Sequence, residues 1–436
     1  MILYLIFGIT LNLLMSEGNA QNPITNLDNW QTDGEIYHHT RMFEKDKTDE
    51  DDLATLTAIG LEAGGKFTYE DLSLEYRLFA LLDKEDPDRK IIGMEEAYLK
   101  YTFFDSWDAK IGYQYLNWSS LEEFHPTDSV NSTFVDYQDE ISKMGELTGS
   151  ISYNGDDFSF TYYYFPRFKA PILPGPKSRQ GLGVPIKKGQ FVKGPQNLSR
   201  TEYTAQHGAR LTFLLGNSDF SFHVLDHIDR RHPHFILDAA GGVIPTYHRV
   251  LEYGGSIQYA LEGLLLKLEG VHLDFDTTPM ASTFSTPFGN MLVNKKQQID
   301  HTKGAIGAEY TLDWLWGMEG TIFTEYQRVF DVKNRLSRAE LDIYQNDLFI
   351  GHRLSFNDIM SRELTVGYIA DLERSGEYII LASYKQRLSD YWNIEFGGIY
   401  IDAEKFEKTI ANVDQLVGLT TVEKSDSIYL KIGRFF

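Results

Sequence analysis

The sequence predicts an all-β fold, a transmembrane antiparallel β-barrel of about 18 strands, and three observations support this. In the last segment of the chain, Ile428, Leu430 and Ile432 share one face, while the opposite face is mostly polar and carries Ser427 and Lys431. Similar alternating segments recur from residue 30 onward, and short and long connections alternate between them. A wall between lipid and water needs strands that are apolar on one face and polar on the other.

Eighteen segments combine period-two alternation with turn residues at their ends. In one of them, Phe158, Phe160, Tyr162 and Tyr164 fall on the same face. Two-layer sandwiches rarely contain this many long strands in one chain, so the count favours a barrel. The predicted strands are 33–44, 53–68, 72–83, 93–104, 107–117, 144–153, 157–165, 203–215, 218–229, 248–260, 262–275, 299–312, 315–330, 338–355, 361–372, 375–387, 390–402 and 424–436.

The connections between these segments are of two kinds. Tight links carry turn residues such as Asn154-Gly155-Asp156 and Glu262-Gly263. Membrane barrels show this alternation because their periplasmic turns are short and their outer loops are long. The sequence therefore predicts that the two ends of the barrel differ. The longest links are 118–143, 166–202, 230–247, 276–298 and 403–423.

Residues 1–20 predict a signal peptide that is removed, which leaves 21–436 as a single barrel domain. The apolar stretch Ile2–Met15 is followed by Gly18-Asn19-Ala20, a small-x-small cleavage pattern. No Lys or Arg precedes the apolar stretch, and a short membrane anchor is the alternative. After residue 20, no window offers about 18 uncharged apolar residues, so the sequence predicts no helical span.

Composition limits the classes of partner and chemistry. A net charge of -22 disfavours nucleic acid as a partner. The chain has no Cys, which excludes disulfides, a thiol nucleophile and Cys-ligated metal, and no cofactor is predicted. The 26 Tyr, 28 Phe and 6 Trp agree with aromatic girdles at two membrane interfaces. The acidic clusters 46–52 and 83–88 predict solvated loop tips, with bridging to lipopolysaccharide through divalent cations as the alternative.

The stretch from Gly93 to Asn131 resembles a widespread group of proteobacterial outer-membrane proteins of unassigned function. These proteins are porin-like and distantly similar in architecture to alginate-export barrels. In that group, a strand ending in a Gly-Arg-Gln-like step runs into Trp-Gly, an Asp-containing loop and Asp-x-x-Asn-Pro. Tyr113, Ser119 and Ser132 depart from this pattern. The resemblance implies a barrel with an export or uptake role and carries no substrate. The matching residues are Gly112, Gln114, Trp118, Pro126, Asp128 and Asn131.

A terminal Phe436 on an alternating strand resembles the sorting signal of bacterial outer-membrane barrels. This resemblance implies a location in the outer membrane of a Gram-negative bacterium. It also implies that the barrel-assembly machinery is a partner through Phe436. Outer-membrane lipid and lipopolysaccharide would surround the barrel.

The segment 166–202, here called the basic loop, concentrates positive charge in an acidic chain. Between Pro166 and Thr201 it contains no acid, and its many Pro and Gly residues predict an irregular loop. We expect it to fold into the lumen and form a constriction that favours anions. The alternative is an outer loop lying on the acidic rim or on lipopolysaccharide phosphates. Its candidate pore residues are Arg167, Lys169, Lys177, Arg179, Lys187, Lys188, Lys193 and Arg200, and the strand residues expected to face the same lumen are Lys100, Lys110, Arg210 and Lys267.

These features predict a channel for passive, selective passage of small or linear hydrophilic solutes, with anions preferred. The preference depends on geometry, because Glu75, Glu269, Glu377 and Glu395 are acids that could also line the lumen. One alternative is a scaffold or sleeve for a partner protein. A barrel hydrolase is a further alternative, although no local signature brings a nucleophile and a base together. We therefore predict no catalytic residues.

A second polar cluster, 226–234, combines Asp and His residues that could bind a metal. No strand or helix spacing makes these side chains converge, and imidazoles in a polar outer loop explain the cluster equally. The sequence therefore predicts no metal site. The cluster consists of Asp226, His227, Asp229, Arg230, Arg231, His232 and His234.

Overall fold

A computed structural model describes the barrel and most of its connections, and the predicted signal peptide lies outside the described residues. Eighteen antiparallel strands form one sheet that closes on itself, since the last strand pairs with the first from Glu35 opposite Phe435 to Phe43 opposite Ser427. The predicted barrel of about 18 strands is confirmed. The described residues are 29–44, 53–135, 141–179, 184–192, 198–199, 201–231, 233–237, 242–275, 280–286, 289–296, 299–313, 317–404 and 417–436.

Each barrel strand pairs with the next along the chain, so there is no crossover. The strands are β1 (Trp30–Phe43), β2 (Thr55–Tyr69), β3 (Leu72–Asp83), β4 (Ile91–Phe103), β5 (Trp107–Gln114), β6 (Glu146–Asn154), β7 (Phe158–Arg167), β8 (Tyr203–Leu215), β9 (Ser218–Ile228), β10 (Val243–Leu261), β11 (Leu264–Phe275), β12 (His301–Asp313), β13 (Glu319–Phe330), β14 (Asn346–Ser355), β15 (Glu363–Asp371), β16 (Tyr378–Arg387), β17 (Trp392–Asp402) and β18 (Ser427–Phe435).

The connections contain smaller elements. None of the helices in the described part of the chain is long and apolar enough to cross a membrane. The short strands are Ser132–Val135, Ile141–Met144, Gln190–Val192, Leu198–Ser199, His234–Leu237, Met280–Thr286 and Gly289–Lys296. The helices are α1 (Arg335–Leu341) and the 3-10 turns Pro87–Arg89, Gly418–Thr421 and Glu423–Ser425.

One predicted strand is partly wrong. The sequence predicts that 338–355 is extended throughout, but α1 occupies its first residues and β14 begins only at Asn346. Asn334 caps the helix, because its side chain accepts a hydrogen bond from the Ser337 backbone N–H at 3.2 Å. Leu341 and Ile343 alternate as they would in a strand, which is why period two alone misplaces this boundary.

The two faces of the barrel wall divide as the alternation predicts. On β18, the side chain of Ile428 is 65% exposed on the outer face, whereas Ser427 and Tyr429 are buried inside. On β1, Ile36 and Met42 point outward, and Arg41 points inward. Apolar side chains on the outer face and polar side chains on the inner face are what a membrane barrel requires.

The two ends of the barrel also differ as predicted. Tight turns follow β2, β4, β6, β8, β10, β12, β14 and β16, and this end is called the turn end. The other nine connections leave the opposite end, which is called the loop end, and they include every connection of more than ten residues. The long connections all emerge at the loop end, so a connection that folds into the lumen enters it from the loop end.

Candidate functional site in the barrel lumen

The connection between β5 and β6 crosses the lumen, and its residues 115–131 are called the lumen segment. The Glu122 carboxylate forms an ion pair with Arg353 on β14 at 3.0 Å. Leu121 lies against Gly307 on β12, where a Cβ would come within 2.5 Å of the Leu121 Cδ2 atom. In a ring of 18 strands, β14 is nine positions from β5 and therefore opposite it. The lumen segment thus spans the full width of the barrel.

Asn131 ties the two ends of the lumen segment to the wall. Its Nδ2 atom donates to the carbonyl oxygens of Gln114 at 3.0 Å and Met144 at 2.9 Å. Its Oδ1 atom accepts from the Leu116 backbone N–H at 2.8 Å. One buried amide therefore closes the base of the loop between β5 and β6, which fixes where the segment leaves the wall.

Glu325 on β13 holds the tip of the lumen segment. Its carboxylate accepts three successive backbone N–H groups, from Glu122 at 2.6 Å, Glu123 at 3.1 Å and Phe124 at 3.0 Å. Successive N–H groups that point to one place form an anion-binding concavity, and here a buried side chain of the wall fills it. Charge-assisted hydrogen bonds of this kind are stronger than neutral ones.

Two more buried carboxylates hold the middle of the lumen segment. Glu269 on β11 accepts hydrogen bonds from the hydroxyl of Ser119 at 3.0 Å, from the backbone N–H of Ser120, and from the Thr127 hydroxyl at 2.8 Å. Glu252 on β10 accepts from the Ser129 hydroxyl at 2.8 Å. The buried carboxylates of Glu252 and Glu269 therefore both accept hydrogen bonds from the lumen segment.

Apolar packing fixes the lumen segment on both sides. Trp118 packs with Tyr163 and Leu225 of the wall. Leu121 and Phe124 join a larger cluster that includes inward-facing residues of β12 to β17, such as Phe323, Phe349, Ile369, Ile379 and Ile401. This cluster fills one side of the lumen with apolar side chains and narrows the open part of the lumen.

Arg210 on β8 differs from the other charged groups of the lumen. Its guanidinium lies 5.4 Å from the centre of the Trp118 ring, and no ion pair to it occurs within the described residues. Its buried Nε atom has no hydrogen-bond partner there. The guanidinium is half-buried, and its buried Nε atom is costly unless a ligand or water satisfies it.

A cavity of about 380 Å³ opens from Arg210 toward the turn end. Hydroxyl pairs line it, with Ser159 and Thr212 2.6 Å apart and Ser221 and Ser256 2.8 Å apart. Exposed aspartates stand at its rim, where water and salt screen them. The cavity therefore combines one half-buried cation and several hydroxyls with three exposed aspartates at its outer edge. The rim residues are Asp156, Asp157 and Asp219.

The three other predicted lumen cations also occupy the inward register of their strands. The Lys100 ammonium pairs with Asp108 at 3.1 Å. Lys267 forms ion pairs with Glu309 and, at 4.0 Å, with Glu122. Lys110 lies 4.8 Å from the Tyr98 ring centre, and acids of the same wall, including Glu96, act on it. Lys100 and Lys267 are therefore ion-paired, whereas Lys110 and Arg210 each lie against an aromatic ring, and the charge of Glu269 acts on Arg210.

The basic loop lies at the loop end and reaches both sides of the mouth. The Lys177 carbonyl accepts from the Leu53 N–H in the β1–β2 connection at 3.1 Å. On the opposite side, Gln190 donates to the Thr246 hydroxyl of β10 at 3.1 Å. In the ring of 18 strands, β10 is nine positions from β1. The role of this loop as a constriction stays a prediction.

Several cations of the basic loop have partners. Arg167 and Lys188 both approach Glu202, at 2.9 and 3.7 Å, and the hydrogen bond from Arg167 lowers the pKa of Glu202. Arg179 is buried and donates to the Leu53 carbonyl at 2.8 Å. The Lys169 ammonium lies 3.2 Å from a methionine sulfur. Lys177 and Lys187 are exposed, and Lys193 and Arg200 lie outside the described residues.

The described members of the Asp/His cluster are dispersed in the structure, and His232 lies outside the described residues. His227 hydrogen-bonds Glu252 at 3.2 Å, Asp226 pairs with Arg249 at 2.6 Å, and Arg230 pairs with Glu146. Among the described residues, no three His, Cys, Asp or Glu side chains converge as a metal site.

Sequence reasoning does not identify the lumen segment as the chain that crosses the barrel. It places 118–143 only among the long links, although the resemblance already includes Trp118 and Asn131. It names Glu269 as an acid that could face the lumen, and the structure does place it there, together with Glu75 and Glu395. Glu377 instead belongs to the β15–β16 connection.

Residues 31–171 match the family model described as phosphate-selective porin O and P. This match covers about a third of the chain, and a comparison with curated protein sequences finds no significant match. Solved outer-membrane barrels share the fold. Wzi of Escherichia coli, described as a carbohydrate-binding β-barrel involved in capsule assembly, is 8% identical over 98% of this chain and 91% of its own, with a TM-score of 0.51.

OpdO of Pseudomonas aeruginosa is 8% identical over 94% of this chain and 97% of its own, with a TM-score of 0.51. OccAB1 of Acinetobacter baumannii is 9% identical over 93% and 96%, with a TM-score of 0.50. This chain has the fold of the porin-like β-barrels of the Gram-negative outer membrane. In such barrels the turn end is periplasmic and the loop end faces the exterior. The similarity to alginate-export barrels stays a prediction.

Proposed function

We propose that this porin-like barrel is a passive, selective channel for small or linear hydrophilic solutes and that it prefers anions. The observation that carries the proposal is the unpaired Arg210 beside the lumen segment, at the head of a cavity lined by hydroxyls. A cation in a narrow, low-dielectric passage raises the local concentration of anions. The match of residues 31–171 to a family described as phosphate-selective porins supports the same preference.

The acidic balance of the chain does not oppose this proposal at the narrow part of the lumen. Glu252, Glu269 and Glu325 are buried and accept hydrogen bonds from the lumen segment. Glu75 accepts from the Tyr98 hydroxyl, and Glu395 accepts from the Tyr429 hydroxyl, each at 2.8 Å. Hydrogen bonds keep these carboxylates ionised, but the dipoles of the donors point their positive ends at the charge and offset part of its field.

His125 adds no positive charge to the passage at neutral pH. Desolvation inside the lumen and the nearby charge of Arg231 lower the pKa of His125 to about 4. Its imidazole is therefore neutral, and Arg210 remains the cation that faces the cavity.

One contact could support the hydrolase alternative, because His125 Nδ1 lies 3.1 Å from the Ser119 hydroxyl oxygen. However, that hydroxyl donates a hydrogen bond to the Glu269 carboxylate at 3.0 Å. A serine nucleophile needs a base that is itself oriented by a third group, and no acid is bonded to the other ring nitrogen within the described residues. We therefore propose passage rather than catalysis.

Arg210→Gln is expected to lower anion selectivity in a planar bilayer under a salt gradient. The anion-to-cation permeability ratio should fall by a factor on the order of five, because one charge about 4 Å from an ion in a water-like medium is worth about 1 kcal/mol. The control is K187Q/K188Q, which removes two exposed charges of the basic loop. A wild type that prefers cations would contradict the proposal, and so would an R210Q variant with an unchanged anion-to-cation permeability ratio. If the permeability ratio also falls in K187Q/K188Q, the basic loop contributes to anion selectivity as well.

A further inference from the structure

Two aspartates face each other inside the loop end of the barrel. Asp347 on β14 and Asp371 on β15 are register partners on the inward face of adjacent strands. Asp347 is 0% exposed and Asp371 is 4% exposed. Like charges directly opposite each other on a sheet are destabilising, and burial increases the cost. The pair therefore needs compensation from another group.

Two buried oxygen atoms beside this pair have no partner. Asp347 Oδ1 and the Gln345 side-chain oxygen make no hydrogen bond, although neither side chain is exposed. The Gln345 amide nitrogen donates to Asp371 Oδ2 at 3.0 Å, which places the unpartnered oxygen of the same amide beside that carboxylate. A buried acceptor without a donor costs about 1–3 kcal/mol. Two such acceptors beside two facing carboxylates favour a positively charged partner over a neutral donor.

The cations of this region are already paired. The charges that act on Asp347 are those of Asp371, Asp342 and Glu373, and all of them are acidic. Lys303 pairs with Asp342 at 2.7 Å, and Arg338 pairs with Glu373 at 2.6 Å. Within the described residues, no Lys or Arg forms an ion pair with Asp347 or Asp371.

We propose that Asp347, Asp371 and the side-chain oxygen of Gln345 bind a hard divalent cation, with Ca²⁺ as the best fit. Carboxylate and amide oxygens without nitrogen or sulfur are the donor set that Ca²⁺ prefers, and Ca²⁺ tolerates irregular geometry. Asp371 Oδ1 accepts the N–H groups of Glu373 and Arg374 at 2.8 Å, whereas Oδ2 accepts one hydrogen bond, from Gln345, and keeps a second lone pair for the ion. The amide oxygen completes a set that contains only two carboxylates.

The cation would connect three parts of the loop end. Gln345 ends the connection that contains α1, and Asp347 and Asp371 lie at the loop ends of β14 and β15. A bound ion would therefore hold the α1 connection against the wall. Binding to the folded state alone raises the apparent stability of the barrel.

The test uses the full chain, purified in detergent without lipopolysaccharide and stripped with EDTA. Adding CaCl₂ to the wild type should raise Tm by about 2 °C or more. Asp347→Asn should abolish this rise and weaken Tb³⁺ binding, followed by luminescence, by about tenfold or more. In EDTA, D347N should melt above the wild type, because the substitution removes the charge repulsion while keeping the shape.

Asp358→Asn is the matched control, because Asp358 lies in the turn at the other end of the same hairpin and pairs with Arg362. It should keep the full response to CaCl₂. A wild type whose Tm does not respond to millimolar CaCl₂ would overturn the proposal, as would an equal response in D347N. If a proton rather than a metal ion compensates the pair, the wild type in EDTA will lose stability as the pH rises, and its Tm will not change with CaCl₂. That result would also overturn the proposal.

Discussion

The double substitution E269A/E325A should release the lumen segment and raise single-channel conductance by a factor on the order of two to five. The three successive backbone N–H groups of 122–124 would lose their acceptor, and so would Ser119, Ser120 and Thr127. Each lost hydrogen bond is worth about 1 kcal/mol, so the segment would no longer hold one position across the lumen. The barrel should stay folded, since the pairing of its strands is unaffected.

The measurement is single-channel recording in planar bilayers, with open-channel noise as a second readout. The control is E319A/E363A, which removes the same charge from the turn ends of β13 and β15, where neither glutamate contacts the lumen segment. Conductance should be unchanged in the control. If both double variants conduct like the wild type, the lumen segment does not limit passage.

The strands could be predicted because the membrane imposes one simple pattern on all of them. A residue such as Ile428 faces lipid and its neighbour Ser427 faces the lumen, so local alternation is sufficient to locate a strand. The same alternation assigns Lys100, Lys110, Arg210 and Lys267 to the inner face of the wall. It fails at α1, where the periodicity of the sequence fits both a helix and a strand.

The contacts that shape the lumen could not be predicted, because they join residues far apart in the chain. The Glu122 N–H and the Glu325 carboxylate are separated by 203 positions, and no local pattern connects them. The isolation of Arg210 has the same origin. Its register shows that it faces inward, but only the packed structure shows that its guanidinium lies against the Trp118 ring without an ion pair among the described residues.

Arg230→Met should cause a large loss of stability at the base of the basic loop. Arg230 and Glu146 form a buried ion pair at 3.1 Å, and Glu146 also accepts the Ser132 backbone N–H at 3.1 Å. Breaking a buried pair by removing one partner typically costs about 3–5 kcal/mol, because the other charge remains buried. We expect the lower end of that range, since Lys169 also acts on Glu146. Thermal melting of the folded barrel in detergent measures the effect.

Arg249→Met is the matched control, because the pair between Arg249 and Asp226 is partly exposed to solvent. Exposed pairs contribute about 0–1 kcal/mol, so this variant should melt close to the wild type. The double variant E146L/R230M should recover much of the stability lost in R230M, since an apolar pair replaces a buried charge without a partner. Equal losses in R230M and R249M would show that burial does not set the strength of the Glu146 pair. A double variant no more stable than R230M would show instead that the hydrogen bond from Ser132 to Glu146, rather than the charge, holds this part of the loop end in place.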